Sequence, residues 1–97
     1  MTRLHVTSRF RIRSGMTDQA MPILAELVAH SQKEAGCIDY GYFRQADDPH
    51  AFTSIEVWAS AKDETTHNNT PFLSDAVRRL MPFLDGRPQV TRYHQIA

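Results

Sequence analysis

The run from Ser54 to Phe72, SIEVWASAKDETTHNNTPF, changes structural period twice within nineteen residues. It opens as the end of a strand, Glu56-Val57-Trp58, and then turns polar. Ser60 and Asp63 have the spacing of a capping box, which predicts a short helix carrying His67 and reaching about Asn68. Thr70 followed by Pro71 caps a further helix, because a first helical position needs no N–H from proline. A large aromatic at a strand end, followed at once by a segment with a titratable imidazole, can form one wall of a ligand pocket.

The rest of the chain supplies the layers around this run. Leu4, Val6, Phe10 and Ile12 alternate with His5, Thr7, Arg9 and Arg11, the period of a strand, with Ser8 on the apolar face. After Ser14-Gly15, Thr17 or Asp18 offers an N-cap for a helix running to about Glu34. Ala20, Ile23, Leu24, Leu27 and Val28 form its apolar stripe, and Pro22 is expected near its first turn. Gly36 supplies a left-handed stop. Strands over Cys37–Gln45 and Ala51–Trp58 flank the turn Ala46-Asp47-Asp48-Pro49-His50 and form an antiparallel hairpin. Phe72, Leu73, Ala76, Val77, Leu80 and Met81 make the stripe of the later helix, halted at Pro82; Pro88 to Ile96 is the last strand. The order β-α-β-β-α-β predicts an α+β, ferredoxin-like single domain over residues 1–97, with helices on one face of a four-stranded antiparallel sheet.

That sheet should have a polar outer face. Instead, Ile55 and Val57 alternate with Phe52 and Trp58, while Ile38, Tyr40 and Tyr42 oppose Cys37 and Phe43, so both faces carry apolar groups. A chain of 97 residues buries about 60 to 65% of its unfolded surface, so a second subunit against the outer face would add materially to stability. The expected partner is therefore a second copy, packed sheet to sheet.

Composition excludes several classes. The net charge is +0 and the pI about 7.0, which argues against a nucleic-acid partner. No apolar run approaches the roughly 18 residues of a membrane span, and Met-Thr-Arg-Leu-His lacks a signal peptide's core. Cys37 is the single cysteine, so no internal disulfide forms and a reducing, cytoplasmic setting is expected. There is no phosphate loop, Cys-x-x-Cys, His-Glu-x-x-His or nucleophile elbow. The five histidines lie on separate elements without ligand spacing, although His5 and His94 become neighbours if the first and last strands pair. A colourless protein with no metal, flavin or haem is expected.

The candidate residues each have two readings. Trp58 is either a core or interface aromatic or the stacking wall of a pocket. Glu56, on the same face as Ser54 and Phe52, is either a rim charge or a carboxylate in apolar surroundings, where it needs a partner or a raised pKa. His67 is either an exposed helical histidine or a proton acceptor at a pocket mouth. Arg78 either reaches inward from the edge of the stripe or makes a surface ion pair, whereas Arg79 is expected in solvent.

The ordered set Gly36-Cys37, Tyr40, Asp47-Asp48-Pro49, Glu56-Val57-Trp58 and His67-x-x-Thr70-Pro71-Phe72 resembles the antibiotic biosynthesis monooxygenase domain family over Leu4 to Ile96. The resemblance implies a dimeric α/β barrel with two sheets packed face to face. Its members include cofactor-free monooxygenases of quinols or polycyclic phenols, haem-degrading enzymes, and isomerases of a phosphorylated autoinducer. Polyketide-pathway monooxygenases of this kind use an Asn, a Trp, a Tyr and an Arg. Here Trp58 and Arg78 match the Trp and the Arg, while Ser54 and Glu64 stand in place of the Asn and the Tyr. The haem-degrading members' Asn, Trp and His positions hold Ser8, His67 and Val77, so haem ligation of that kind is not expected. The segment from His67 to Pro71 is similar to the quinol monooxygenase and autoinducer isomerase branches. The resemblance thus implies His67, Arg78 and Glu64 as catalytic candidates, with Trp58, Ser54, Glu56, Ser8 and Phe72 around a small aromatic substrate. An isomerase of a small phosphorylated carbonyl compound, with Arg78, Arg87 and Arg92 as anion site, and a non-catalytic dimeric binding module are the alternatives.

Overall fold

A computed structural model describes residues 2–97. The elements are β1 (Leu4–Arg11), α1 (Thr17–Ser31), β2 (Cys37–Arg44), β3 (Ala51–Trp58), α2 (Ala61–Asn68), α3 (Pro71–Leu80), a 3₁₀ turn (Met81–Phe83) and β4 (Gln89–Tyr93). One sheet runs β2-β3-β1-β4 with every neighbouring pair antiparallel. This is the ferredoxin-like α+β arrangement, with the second helical region divided into α2 and α3.

Local chemistry explains most boundaries. The β2–β3 turn is closed by the Asp48 side chain, which accepts from the His50 N–H at 3.0 Å, and an Arg11–Asp48 ion pair at 2.7 Å ties it to β1. The Ser60 hydroxyl accepts from the Asp63 N–H at 3.2 Å and donates to its carboxylate at 2.8 Å. The Thr70 hydroxyl accepts from the Leu73 N–H at 3.3 Å and donates to the His67 carbonyl at 2.9 Å, so one side chain ends α2 and starts α3.

Several expectations are corrected. Met16, not Thr17 or Asp18, precedes α1, and it makes no side-chain cap. Pro22 falls in the second turn, on an exposed position. A bulge between Cys37 and Asp39 shifts the start of β2, so Cys37 joins the Tyr40 face and Ile38 is left half exposed. Val77 and Met81 are exposed, since the inward stripe of α3 narrows to Ala76 and Leu80 with Phe72 and Leu73 beside it. β4 pairs with β1 as expected, but it is five residues long and His5 faces Tyr93, not His94.

Two apolar clusters lie between sheet and helices. The larger joins Phe10, Ile12 and Phe52 to Ile23, Leu24, Leu27, Ala76, Leu80 and Leu84. The smaller holds Leu4, Val6, Tyr40 and Trp58. Ser8 and Ser54, paired across β1 and β3, stand between them. The outer face exposes Phe43, Ile55 and Tyr93 above a 790 Å³ concavity that Arg9, Arg44 and Arg87 also line. No helix among the described residues is long and apolar enough to cross a membrane.

Gly36 closes the turn between α1 and β2 at φ 85°, and a β-carbon there would lie 2.3 Å from Cγ of Asp63. Left-handed strain and a forced shift of the α2 cap then add. Gly36→Ala is expected to cost about 2 kcal/mol or more in urea unfolding, against about 1 kcal/mol for Gly15→Ala, where the space is open.

Candidate functional site

The sequence that alternates along β3 points Phe52, Ser54, Glu56 and Trp58 toward the helices, and all four are buried. Burying a carboxyl group is costly unless its oxygens are satisfied. Glu56 accepts from the Ser54 hydroxyl at 2.7 Å and from Nε1 of Trp58 at 3.0 Å. The Ser54 oxygen in turn accepts the Ser8 backbone N–H at 3.0 Å. Glu56 is therefore an interior group, and the indole is fixed by its one polar atom.

His67 comes from α2 and packs on this indole, with ring centroids 4.6 Å apart. Tyr40 from β2 covers both, its ring 6.2 Å from Trp58 and 5.5 Å from His67. Trp58 is 0% exposed and His67 3%, so His67 is not a surface helical histidine. Its Nδ1 lies 3.1 and 3.0 Å from the two carboxylate oxygens of Glu34, a residue in the turn after α1 that sequence reading missed. Nothing in the sequence could flag it, because 33 residues separate the two. Nε2 makes no hydrogen bond among the described residues.

Glu64, from the same helix, accepts a two-pronged contact from Arg92 of β4 at 2.7 and 2.9 Å and a third bond from Asn68 at 3.0 Å. Burial pushes its pKa up, but the Arg92 and Asn68 hydrogen bonds outweigh it and hold the group below 4.5. A carboxylate so stabilised is a weak base. Burial drives the Tyr40 hydroxyl far up, and the Tyr42 hydroxyl, 3.0 Å away, up to about 12. Cys37 is likewise pushed by burial to about 11. Phenols and thiol alike stay protonated near neutrality.

The geometry separates other candidates from this cluster. Arg78 points into solvent, its side chain 73% exposed and bound to Asp75 on the same helix. Arg79, expected in solvent, instead bridges α3 to Glu26 of α1 at 2.8 Å. Adjacent helical positions differ by about 100°, and the tilt of α3 decides which one meets the neighbouring helix. Phe72 stacks on His30 at 3.9 Å rather than on a ligand space. The space over Trp58, expected to take an aromatic substrate, is filled by Tyr40 and His67. The 790 Å³ outer concavity and a 470 Å³ cavity beside Tyr42, Leu24 and Phe52 are both lined without Trp58, His67 or Arg78. The helix side of the sheet stays open at β4: Val90, opposite Ser8, and the Arg92 side chain are each half exposed. Among the described residues no three His, Cys, Asp or Glu side chains gather as metal ligands.

Glu64 gives a pH test. Its folded pKa is depressed, so its contribution to stability is complete above about 4.5 and lost as pH falls through the lower folded value. Glu64→Gln is expected to lower stability at neutral pH and to flatten the acid limb of a denaturation-midpoint profile below pH 4.5. An unchanged acid limb contradicts it.

No functionally curated protein matches the chain. Among solved structures, a conserved protein from Methanosarcina mazei Go1 is similar over 99% of this chain and 95% of its own, with 22% identity and a TM-score of 0.94. A Pseudomonas aeruginosa protein shares 26% identity over 100% of this chain and 97% of its own, with a TM-score of 0.89. A structure described as an antibiotic biosynthesis monooxygenase shares 23% identity over 97% and 99%, with a TM-score of 0.91. The profile of the antibiotic biosynthesis monooxygenase family matches residues 3–79, and with the strand order and the Trp58 and His67 segment in place, the chain belongs to that family.

Proposed function

We propose that the chain is a cofactor-free monooxygenase that oxidises a quinol or related small hydroxyaromatic with dioxygen, working as a homodimer packed sheet to sheet. The observation that carries this reading is the imidazole of His67, held by Glu34 against Trp58 in the interior of a member of a monooxygenase family. A substrate entering where β4 is uncovered, beside Ser8, Val90 and Arg92, meets the half-exposed, Glu64-bound side chain of Arg92. Arg92 thereby takes the anion-stabilising role expected of Arg78.

His67 removes the phenolic proton. The phenolate passes one electron to dioxygen, and the phenoxyl radical and superoxide join at a ring carbon bearing hydrogen, forming a C–O bond. The resulting peroxide takes the proton from His67. Loss of the ring hydrogen as a proton and cleavage of the O–O bond leave a quinone carbonyl and release water. One phenol and one dioxygen thus give one quinone and one water. The protein supplies deprotonation, orientation and exclusion of bulk water.

The isomerase alternative has less support, because its three arginines do not converge. Arg78 lies on the solvent side of α3, Arg87 lines the outer concavity, and Arg92 lies apart from both, on the helix side of the sheet at β4. The dimer reading draws on the exposed Phe43, Ile55 and Tyr93 of the outer face.

Oxygen uptake with a panel of hydroquinones is expected in the wild type, and His67→Ala is expected to slow it by about 100-fold or more. No uptake with any of them would leave the binding-module reading. Sedimentation at micromolar concentration is expected to show a dimer, since such an interface commonly buries more than about 2,000 Å². A stable folded monomer refutes the assembly.

A further inference from the structure

We infer that Glu34 is a positioning residue: its carboxylate holds His67 in the tautomer protonated at Nδ1, leaving the Nε2 lone pair as the proton acceptor. The inference rests on the reading of His67 as the base, and it assigns a role to a residue that neither the family resemblance nor the sequence pattern singles out.

A neutral imidazole has one donor and one acceptor nitrogen, and the bond made by one nitrogen decides the state of the other. Both carboxylate oxygens of Glu34 face Nδ1 of His67, at 3.1 and 3.0 Å. A carboxylate accepts and does not donate, so the proton sits on Nδ1. The pair is well shielded, with side-chain exposure of 3% for His67 and 14% for Glu34, which keeps water from competing for the contact.

Glu34 is itself held in place. It lies outside α1, in a turn where its N–H donates to the Ser31 carbonyl at 3.1 Å and its carbonyl accepts from the Cys37 N–H at 3.1 Å. His30, stacked on Phe72, lies beside Glu34 with Nδ1 3.4 Å from Oε2 and without a hydrogen bond. The remaining groups around the His67 ring are Tyr40, Trp58 and, one turn earlier on α2, the Arg92-paired Glu64. None of these makes a hydrogen bond to either ring nitrogen, so Glu34 alone sets the tautomer among the described residues.

The test reads the tautomer directly. Nitrogen-15 spectra of the full-length protein, taken well above the free-imidazole pKa of about 6.5, with the His67 signal assigned through His67→Asn, are expected to show Nδ1–H. A signal for Nε2–H, or for a doubly protonated ring, overturns the assignment without any variant. Glu34→Gln fills the same space and is expected to move the signal toward Nε2–H. With a hydroquinone that the wild type oxidises, it is expected to lower kcat by about tenfold or more with KM little changed. A loss confined to KM, or an unchanged kcat, overturns the positioning role. If the wild type oxidises no hydroquinone, the proposed activity fails while the spectrum still decides whether Glu34 sets the tautomer.

Discussion

A carboxyl group sealed beneath the helices is the constraint around which the interior is arranged. Glu56 sits on the inward face of the central strand β3, where an unsatisfied carboxyl would cost several kcal/mol, on the order of what the whole domain has to spare. Its two donors from β3 itself, the Ser54 hydroxyl and the Trp58 indole, remove that cost and at the same time choose one orientation for the indole. The same Ser54 oxygen takes the Ser8 amide, so the network also spans to β1. Tyr40 and His67 then rest on a surface that cannot rotate. A polar chain through the middle of the inward face also explains why the apolar residues form two clusters rather than one.

The second organising element is the division of labour along α2. One turn of this short helix presents Glu64 to β4 and His67 to the turn after α1, so it is held by side chains on two sides as well as by caps. The helix has almost no apolar face of its own; its buried residues are Glu64 and His67. A helix of eight residues is too short to persist by propensity. Here it is held by ionic and aromatic contacts, which places titratable groups where larger helices would place leucine. That is a physical reason for chemistry to be found at this point of the fold.

Much of the architecture was legible from periodicity alone. Alternation along Leu4–Arg11 and Ala51–Trp58, the Ser60 and Thr70 caps and the Asp48 turn are local patterns, and each folded as read. The Trp58–His67 neighbourhood was legible for the same reason, since the short connection leaves the two rings little room to part. The bulge at Ile38 was not, because an extra residue in a strand keeps the alternation of letters while reversing the faces before it.

The sequence by itself determined the order of elements, the Ser60 and Thr70 caps and the groups that β1 and β3 turn toward the helices, because those follow from local side-chain bonds and a repeat length of two residues. Tertiary structure decided the partners. Glu34 reaches His67 and Arg92 reaches Glu64 across separations of 33 and 28 residues, which no spacing rule connects. It also decided that Arg78 faces water while Arg79 bridges two helices and Arg92 lies beside the interior. The inward face of a helix is fixed by the angle at which it meets its neighbour, and the end of a strand by the strand beside it. Both are properties of packed surfaces rather than of the chain's local pattern.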